Sequence, residues 1–122
     1  MNKIEEKRKR INDLENEIKQ IKEELKELND YESVIILNVH TTLESYKNII
    51  NEMSKITNYY SIEDMGIKKL AYEIKGNLEG YYVSVHFVGN YEIVKKLEKF
   101  YRFQDEIIKF ITIRKADEED IK

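Results

Sequence analysis

The chain has 122 residues, with 21 Lys and Arg against 24 Asp and Glu, a formal net charge of −3 and no cysteine. The lack of cysteine excludes disulfide bonds and thiolate metal sites, and no run of about 18 apolar residues predicts a transmembrane helix. Residues 31–116 carry 12 basic and 11 acidic groups, a balance too close to neutral for a protein that grips nucleic acid by charge alone.

Residues 1–30 form a highly charged segment with a heptad repeat and contain neither proline nor glycine. Lys7 interrupts the first d position, and the stronger part of the apolar seam comprises Ile11, Leu14, Ile18, Ile21, Leu25 and Leu28. This spacing predicts one helix of about 26 residues that forms a coiled coil. A helix with so narrow an apolar stripe is marginal alone in water, so it needs a partner.

The charges beside the seam favour a parallel homodimer through residues 4–28. In a parallel pair, Arg10 would meet Glu15 of the other copy and Glu17 would meet Lys22, so both contacts attract. An antiparallel pair would bring like charges together at three contacts. Exposed ion pairs bias the orientation only weakly. Pairing with a different protein, folding back onto the chain's own domain, and the number of strands therefore stay open.

Residues 31–116 are predicted to form one α+β domain that opens with a central strand. Residues 31–39 are rich in Val, Ile and Leu on both faces, which is typical of a strand covered on both sides. A helix follows to about Ile56, with Leu43, Tyr46, Ile50 and Met53 on its apolar side. Residues 59–74 read as a long, irregular strand in which Gly66 predicts a bulge.

The second half of this domain repeats strand, helix and strand. Gly76 to Gly80 is predicted to form a turn before a strand over residues 81–88, and Asn90 to cap a helix that ends near Tyr101. Residues 106–114 form the last strand. Its inward face stays open, because two sets of apolar residues alternate: Ile107, Ile111 and Ile113 against Ile108 and Phe110.

The order β-α-β-β-α-β predicts a ferredoxin-like plait, preceded by the long N-terminal helix. In this fold a four-stranded antiparallel sheet carries both helices on one face. The other face is expected to carry four residues that are candidates for partner binding: Val34, Ile36, Tyr82 and His86. We expect a partner there because so apolar a face is unfavourable in water. Residues 117–122 are predicted to be a disordered acidic tail.

Linked motifs across residues 31–115 resemble those of the bacterial ribosomal protein S6 family. The matching pieces stand in order along the chain: Tyr31-Glu32, Ile36-Leu37-Asn38, Gly66, Lys68, Leu70-Ala71-Tyr72, Ile74, Gly80-Tyr81-Tyr82, Phe87 and Ile107-Ile108-Lys109-Phe110. Met65 and Glu73 depart from the family pattern, in which Trp or another residue commonly precedes Gly66 and Pro is common at position 73. The segment of residues 1–30 is foreign to that pattern.

The resemblance implies a non-enzymatic structural constituent of the small ribosomal subunit. It implies binding to ribosomal RNA beside a protein like ribosomal protein S18, which supplies much of the basic charge. It also implies that Lys68, Lys69 and Lys109 contact RNA, where lysines meet phosphates and position the protein. Solvated lysines beside a bulge are the alternative. The foreign arm supports an alternative function, a paralogue or fusion that acts as a coiled-coil homodimeric protein-interaction module.

Catalytic and metal chemistry find no support in the sequence. His40 and His86 are the only histidines and lie in no metal-ligand spacing, and no phosphate-binding loop or Ser-His-Asp set is present. No catalytic residue, metal or cofactor is therefore predicted. A small-molecule sensor with paired plaits also fits the topology, but no residue indicates the ligand pocket between domains that it would need. The first residues lack the apolar core of a signal peptide, so a cytoplasmic location is expected.

Overall fold

A computed structural model of the protein describes residues 2–115. The elements, in chain order, are α1 (Lys3–Lys26), β1 (Asn29–Leu37), α2 (Leu43–Ile56), β2 (Tyr59–Ile74), β3 (Asn77–Gly89), α3 (Tyr91–Arg102) and β4 (Ile107–Arg114). The predicted acidic tail, residues 117–122, lies outside the described residues. Over residues 2–115, no helix combines the length and the apolar character needed to cross a membrane.

The four strands form one antiparallel sheet in the order β2-β3-β1-β4. β1 is central, with β3 on one side and β4 on the other. α2 and α3 contact each other and pack on one face of this sheet. This is the ferredoxin-like arrangement, so the predicted fold class is confirmed.

The main core lies between the sheet and the two helices. Alternate residues of β1 and β3 point into it because successive strand residues face opposite sides. α2 contributes Ile49 and Met53, while Asn90 caps α3 by accepting a hydrogen bond from the backbone N–H of Ile93 at 2.9 Å. The buried residues of this core are Ile35, Leu37, Ile49, Met53, Val83, Val85, Phe87, Val94, Leu97, Tyr101 and Ile107.

The β2–β3 hairpin is longer than the sequence indicated. Lys75 and Gly76 have φ angles of 48° and 81°, and two successive positive φ values are typical of a two-residue type I′ turn. β3 begins directly after them. The prediction that the turn extends to Gly80 is wrong. Gly80 lies inside β3, where its missing side chain leaves room for Ile36.

A β-bulge in β4 explains the uneven pattern of its apolar residues. Ile36 pairs with Lys109 whereas Leu37 pairs with Ile107, so Ile108 is an extra residue in the ladder. Ile107 therefore packs in the core beneath the helices, and Ile108 packs in a smaller cluster on the opposite sheet face. The two-residue period of this strand is broken at the bulge, which is why the sequence pattern leaves its inward face ambiguous.

α1 is a helix of 24 residues that Asn2 caps by accepting a hydrogen bond from the backbone N–H of Glu5 at 2.9 Å. None of the residues of α1 is buried. The side chains of the predicted seam are between 38% and 59% exposed: Ile11, Leu14, Ile18, Ile21, Leu25 and Leu28. Only Glu27 and Leu28 separate α1 from β1, which starts two residues earlier than predicted.

Candidate RNA- and partner-binding surface

The open face of the sheet, turned away from α2 and α3, carries the four residues predicted to bind a partner. These are Val34, Ile36, Tyr82 and His86. β1 and β3 pair without a register shift, so the alternation in each strand holds along its whole length. Ile36 lies opposite Tyr82, and Glu32 lies opposite His86. The four residues therefore share one surface that runs across the two central strands.

A small apolar cluster underlies one end of the open face. Ile36, Leu70 and Ile108 are each 6–7% exposed and pack together, with Ile74 and Tyr82 against them. Ile36 is thus a buried support for this surface, and Tyr82 covers it. Sequence reasoning missed the cluster because its members come from three different strands. In addition, Ile108 reaches this face only because of the bulge in β4.

Two of the three predicted RNA-binding lysines lie at this end of the open face. Lys68 lies opposite Gly80 and its Nζ is 5.5 Å from the centroid of the Tyr82 ring. Lys109 lies opposite Ile36 and its Nζ donates a hydrogen bond to the Tyr72 hydroxyl at 3.0 Å, 5.3 Å from that ring's centroid. Such ammonium–aromatic contacts orient the lysine side chains and leave their positive charge in place.

Lys69, the third predicted RNA-binding residue, is not part of this group. It lies opposite Glu79 in β3, on the face of the hairpin that points the other way from Lys68. Both lysines are exposed. At positions 68 and 69 the hairpin therefore presents one cation on each face.

The bulge in β2 is held by the Asp64 carboxylate. Gly66, at φ 77°, donates its backbone N–H to Asp64 Oδ1 at 3.1 Å, and the Tyr81 hydroxyl donates to Asp64 Oδ2. The hydrogen bond to Asp64 raises the pKa of Tyr81 to about 12. These contacts confirm the bulge predicted at Gly66 and hold its geometry from the side of the sheet that faces the helices.

The other end of the open face is polar and acidic. The Ser84 hydroxyl donates to Glu32 Oε2, while His86 Nε2 lies 3.4 Å from Glu63 Oε1 and 3.7 Å from Glu32 Oε2. Over residues 2–115, no group of three or more His, Cys, Asp or Glu side chains is arranged to hold a metal ion. The cluster therefore provides negative charge and hydrogen-bond acceptors beside a half-buried imidazole.

Tyr60 links three parts of the chain next to this polar end. Its hydroxyl donates to Asp30 Oδ1 at 2.8 Å and accepts from Lys115 Nζ at 3.0 Å. The hydrogen bond with Tyr60 raises the pKa of Lys115. The sequence carried no signal for this contact, because Asp30, Tyr60 and Lys115 are far apart along the chain and lie at strand ends.

Comparison with known proteins identifies a family for most of this domain. The model of the family described as ribosomal protein S6 matches residues 30–114. The chain is similar to small ribosomal subunit protein bS6 of Helicobacter pylori, with 29% identity over 99 residues that cover 75% of this chain and 68% of that protein. It is similar to bS6 of Thermotoga petrophila, with 35% identity over 93 residues, 71% of this chain and 73% of that protein.

A solved structure gives the same result. The chain is similar to 30S ribosomal protein S6 from Thermotoga maritima, with a TM-score of 0.68 and 33% identity, over 77% of this chain and 94% of that one. All three relatives are named as ribosomal proteins, which agrees with the prediction that the chain is not an enzyme. The family model leaves α1 unmatched. On the match of residues 30–114 and these similarities, the chain belongs to the ribosomal protein S6 family.

Proposed function

We propose that the protein is a structural constituent of the small ribosomal subunit that binds ribosomal RNA in the cytoplasm. One observation carries this proposal beyond family membership. Lys68 and Lys109 come from the two outer strands of the sheet and converge at one end of the open face. The relatives named above are described as proteins of the small or 30S subunit, which supports the same role.

The proposed RNA contact is local. Residues 31–116 are nearly neutral, so a few well-placed cations must do what a broad basic surface does elsewhere. Lys68 and Lys109 stand on a rigid sheet beside Tyr82 and Tyr72, a placement suited to phosphates, which position a protein without reading bases. Lys69 remains a candidate for a separate RNA contact on the opposite face of the hairpin.

We further propose that a protein neighbour covers the polar end of the open face. Val88, Ile111 and Ile113 are 45–51% exposed there, beside the carboxylates of Glu32 and Glu63. Apolar contacts ringed by negative charge fit a basic partner. A protein similar to ribosomal protein S18, which the family resemblance implies, has that character.

A second candidate function is that of a protein-interaction module, dimerised through α1 and separate from the ribosome. The observation that favours it is the exposed seam of α1, which the family model does not match. The two functions differ in where the protein is found. A module of this kind would not sediment with the small subunit.

Cosedimentation of tagged full-length protein with small subunits in lysate tests the proposal. We expect stoichiometric association that survives raised salt, and its loss in Lys68→Glu/Lys109→Glu. The matched control is Lys96→Glu/Lys99→Glu, which reverses two exposed charges on α3. Absence of the unaltered protein from the subunit peak would overturn the ribosomal role. Equal loss in both double variants would overturn the assignment of the two lysines.

A further inference from the structure

α1 exposes an apolar seam that its own domain leaves uncovered. The six seam residues of the segment from Ile11 to Leu28 are 38–59% exposed, and no residue of α1 is buried. An isolated helix with so narrow an apolar stripe is marginal in water, because most helical stability in proteins comes from packing an apolar face. The exposed seam therefore calls for a partner that does not belong to the plait of the same chain.

The residues of the seam favour two strands. Within α1, Ile11, Ile18 and Leu25 occupy a positions, and Leu14 and Ile21 occupy d positions; Leu28 lies beyond the end of the helix. Isoleucine at a with leucine at d, which holds at three of these five positions, favours dimers in parallel coiled coils. Toward the N-terminus the pattern fails, because Lys7 stands at d and Lys3 would meet Arg8 across the pair. The packed seam is therefore confined to residues 11–26, and Arg8 and Arg10 lie on the helical turn just before it.

The charges beside the seam identify the orientation. In a parallel pair of two copies, Arg10 meets Glu15 and Glu17 meets Lys22, and the two-fold symmetry repeats each attraction. In an antiparallel pair, Arg10 would instead face Glu24 of the other copy, which is one attractive contact.

Three antiparallel contacts are repulsive: Arg8 with Lys22, Glu15 with Glu15 and Glu17 with Glu17. Because charge complementarity with a second copy is best in the parallel register, a second copy is the partner that fits.

The connection between α1 and the sheet shows what such a pair leaves free. Only Glu27 and Leu28 separate α1 from β1, so the coil reaches the sheet at the Asn29 end of its central strand. Lys109, which pairs with Ile36, and Lys68, which pairs with Gly80, lie at the opposite end. Over about seven strand residues at roughly 3.3 Å each, the two ends are about 23 Å apart.

We propose that residues 11–26 of two copies of this chain form a parallel, in-register, two-stranded coiled coil. The proposal stands apart from the ribosomal function, because it concerns a segment that the family model does not match and that lies away from the lysines. Its surface is the seam already defined, and its partner is an identical seam.

Sedimentation equilibrium of the full-length protein tests self-association. We expect a reversible dimer whose dissociation constant rises about 100-fold or more in Ile18→Lys, because two apolar side chains are lost from one layer and two ammonium groups meet there. Asn16→Lys, on the outer face of the same helix turn, should change the constant by less than about threefold. A monomer or a trimer of the unaltered protein overturns the proposal, as does an equal effect of both substitutions.

Cysteine cross-linking tests the orientation, and the chain has no cysteine to interfere. Leu14→Cys should oxidise to a disulfide-linked dimer with itself, as should Ile18→Cys, because each meets its own copy in the parallel register. A mixture of the two variants should give little of the mixed disulfide, whereas the antiparallel register pairs residue 14 with residue 18. Asn16→Cys reports random collision. Preferential formation of the mixed disulfide, or linkage no faster than in Asn16→Cys, overturns the proposal.

Discussion

Gly80 makes room for Ile36. A Cβ atom at Gly80 would overlap Cγ2 of Ile36 and would lie 3.5 Å from Leu70 Cδ2 and 3.7 Å from Ile108 Cδ1. The missing side chain thus lets three strands close into the apolar cluster that supports Tyr82 and the lysine end of the open face. Glycine is needed at this position for space and not for an unusual backbone angle.

Gly80→Ala is therefore expected to lower the free energy of unfolding by about 1–3 kcal/mol, since an inserted methyl group forces its neighbours to shift. This loss would occur although alanine is otherwise favoured over glycine in a strand. Denaturant unfolding measures the change. In an Ile36→Ala background the overlapping methyl group is gone, so Gly80→Ala should cost much less there. Strict additivity of the two substitutions would contradict this explanation.

Neighbouring lysines on opposite faces of the hairpin offer a matched pair for RNA binding. Lys68→Gln should weaken binding to small-subunit ribosomal RNA and reduce the slope of log affinity against log salt by roughly 0.7–0.9, the amount expected for one phosphate contact. Lys69→Gln removes the same charge one residue away and should have the smaller effect. Binding measured across a salt series decides, and the reverse ranking would move the RNA contact to the other face.

Burial of Tyr101 predicts a loss of stability at high pH. Burial raises the pKa of Tyr101 to about 12, although the nearby Ser33 hydroxyl acts to lower that pKa. Among residues 2–115 the Tyr101 hydroxyl has no partner with hydrogen-bond geometry. The neutral phenol is favoured in the folded state, so its contribution is intact below pH 10 and is lost as the pH rises toward 12. The loss amounts to up to roughly 2–3 kcal/mol.

Tyr101→Phe should remove that alkaline loss. At pH 7 it should be neutral or stabilise by up to about 1 kcal/mol, because a buried hydroxyl without a partner is removed. Unfolding measured at pH 7 and pH 11 separates the two effects. Tyr81→Phe is the comparison, since the exposed Tyr81 hydroxyl donates to Asp64 and the substitution should weaken the β2 bulge at pH 7. A strong destabilisation by Tyr101→Phe at pH 7 would show that the hydroxyl is satisfied.

The plait should not depend on α1 for its stability. Deletion of residues 1–27, placed just before β1, is expected to leave the unfolding midpoint in denaturant unchanged, to within about 0.5 kcal/mol in free energy. The reason is that α1 buries none of its residues. Circular dichroism should show only the loss of one helix. A destabilisation of 2 kcal/mol or more would place α1 in the folded core and move the predicted boundary of the arm.

The faces of β1 and β3 followed from the sequence alone. Both strands alternate without interruption and pair in one register along their full length, so the two-residue spacing was enough to assign Val34, Ile36, Tyr82 and His86 to a common surface. The Asn90 cap depends on local sequence, and the crossover order follows from a general rule of chain handedness. These parts of the fold depend on periodicity, which a sequence displays directly.

The features that escaped prediction depend on contacts between distant residues. The inward and outward residues of β4 cannot be assigned from their alternation until Ile108 is known to be the additional residue of a bulge. Gly80 resembled a turn residue because the space it leaves for Ile36 is visible only in three dimensions. Pairing partners in β3 and β1 likewise place Lys68 and Lys109 at one end of the open face and Lys69 on the opposite face.

The bulge in β2 decides which lysine faces which side. Asp64 pairs with Val83 and Gly66 pairs with Tyr82, so Met65 is one residue too many in a pattern that repeats every two. If Met65 were paired in the ladder instead, every residue beyond it would turn over, and Lys69 would take the side now held by Lys68. A relative that lacks residue 65 would therefore keep the lysine of position 68 on the open face, in a ladder without the bulge.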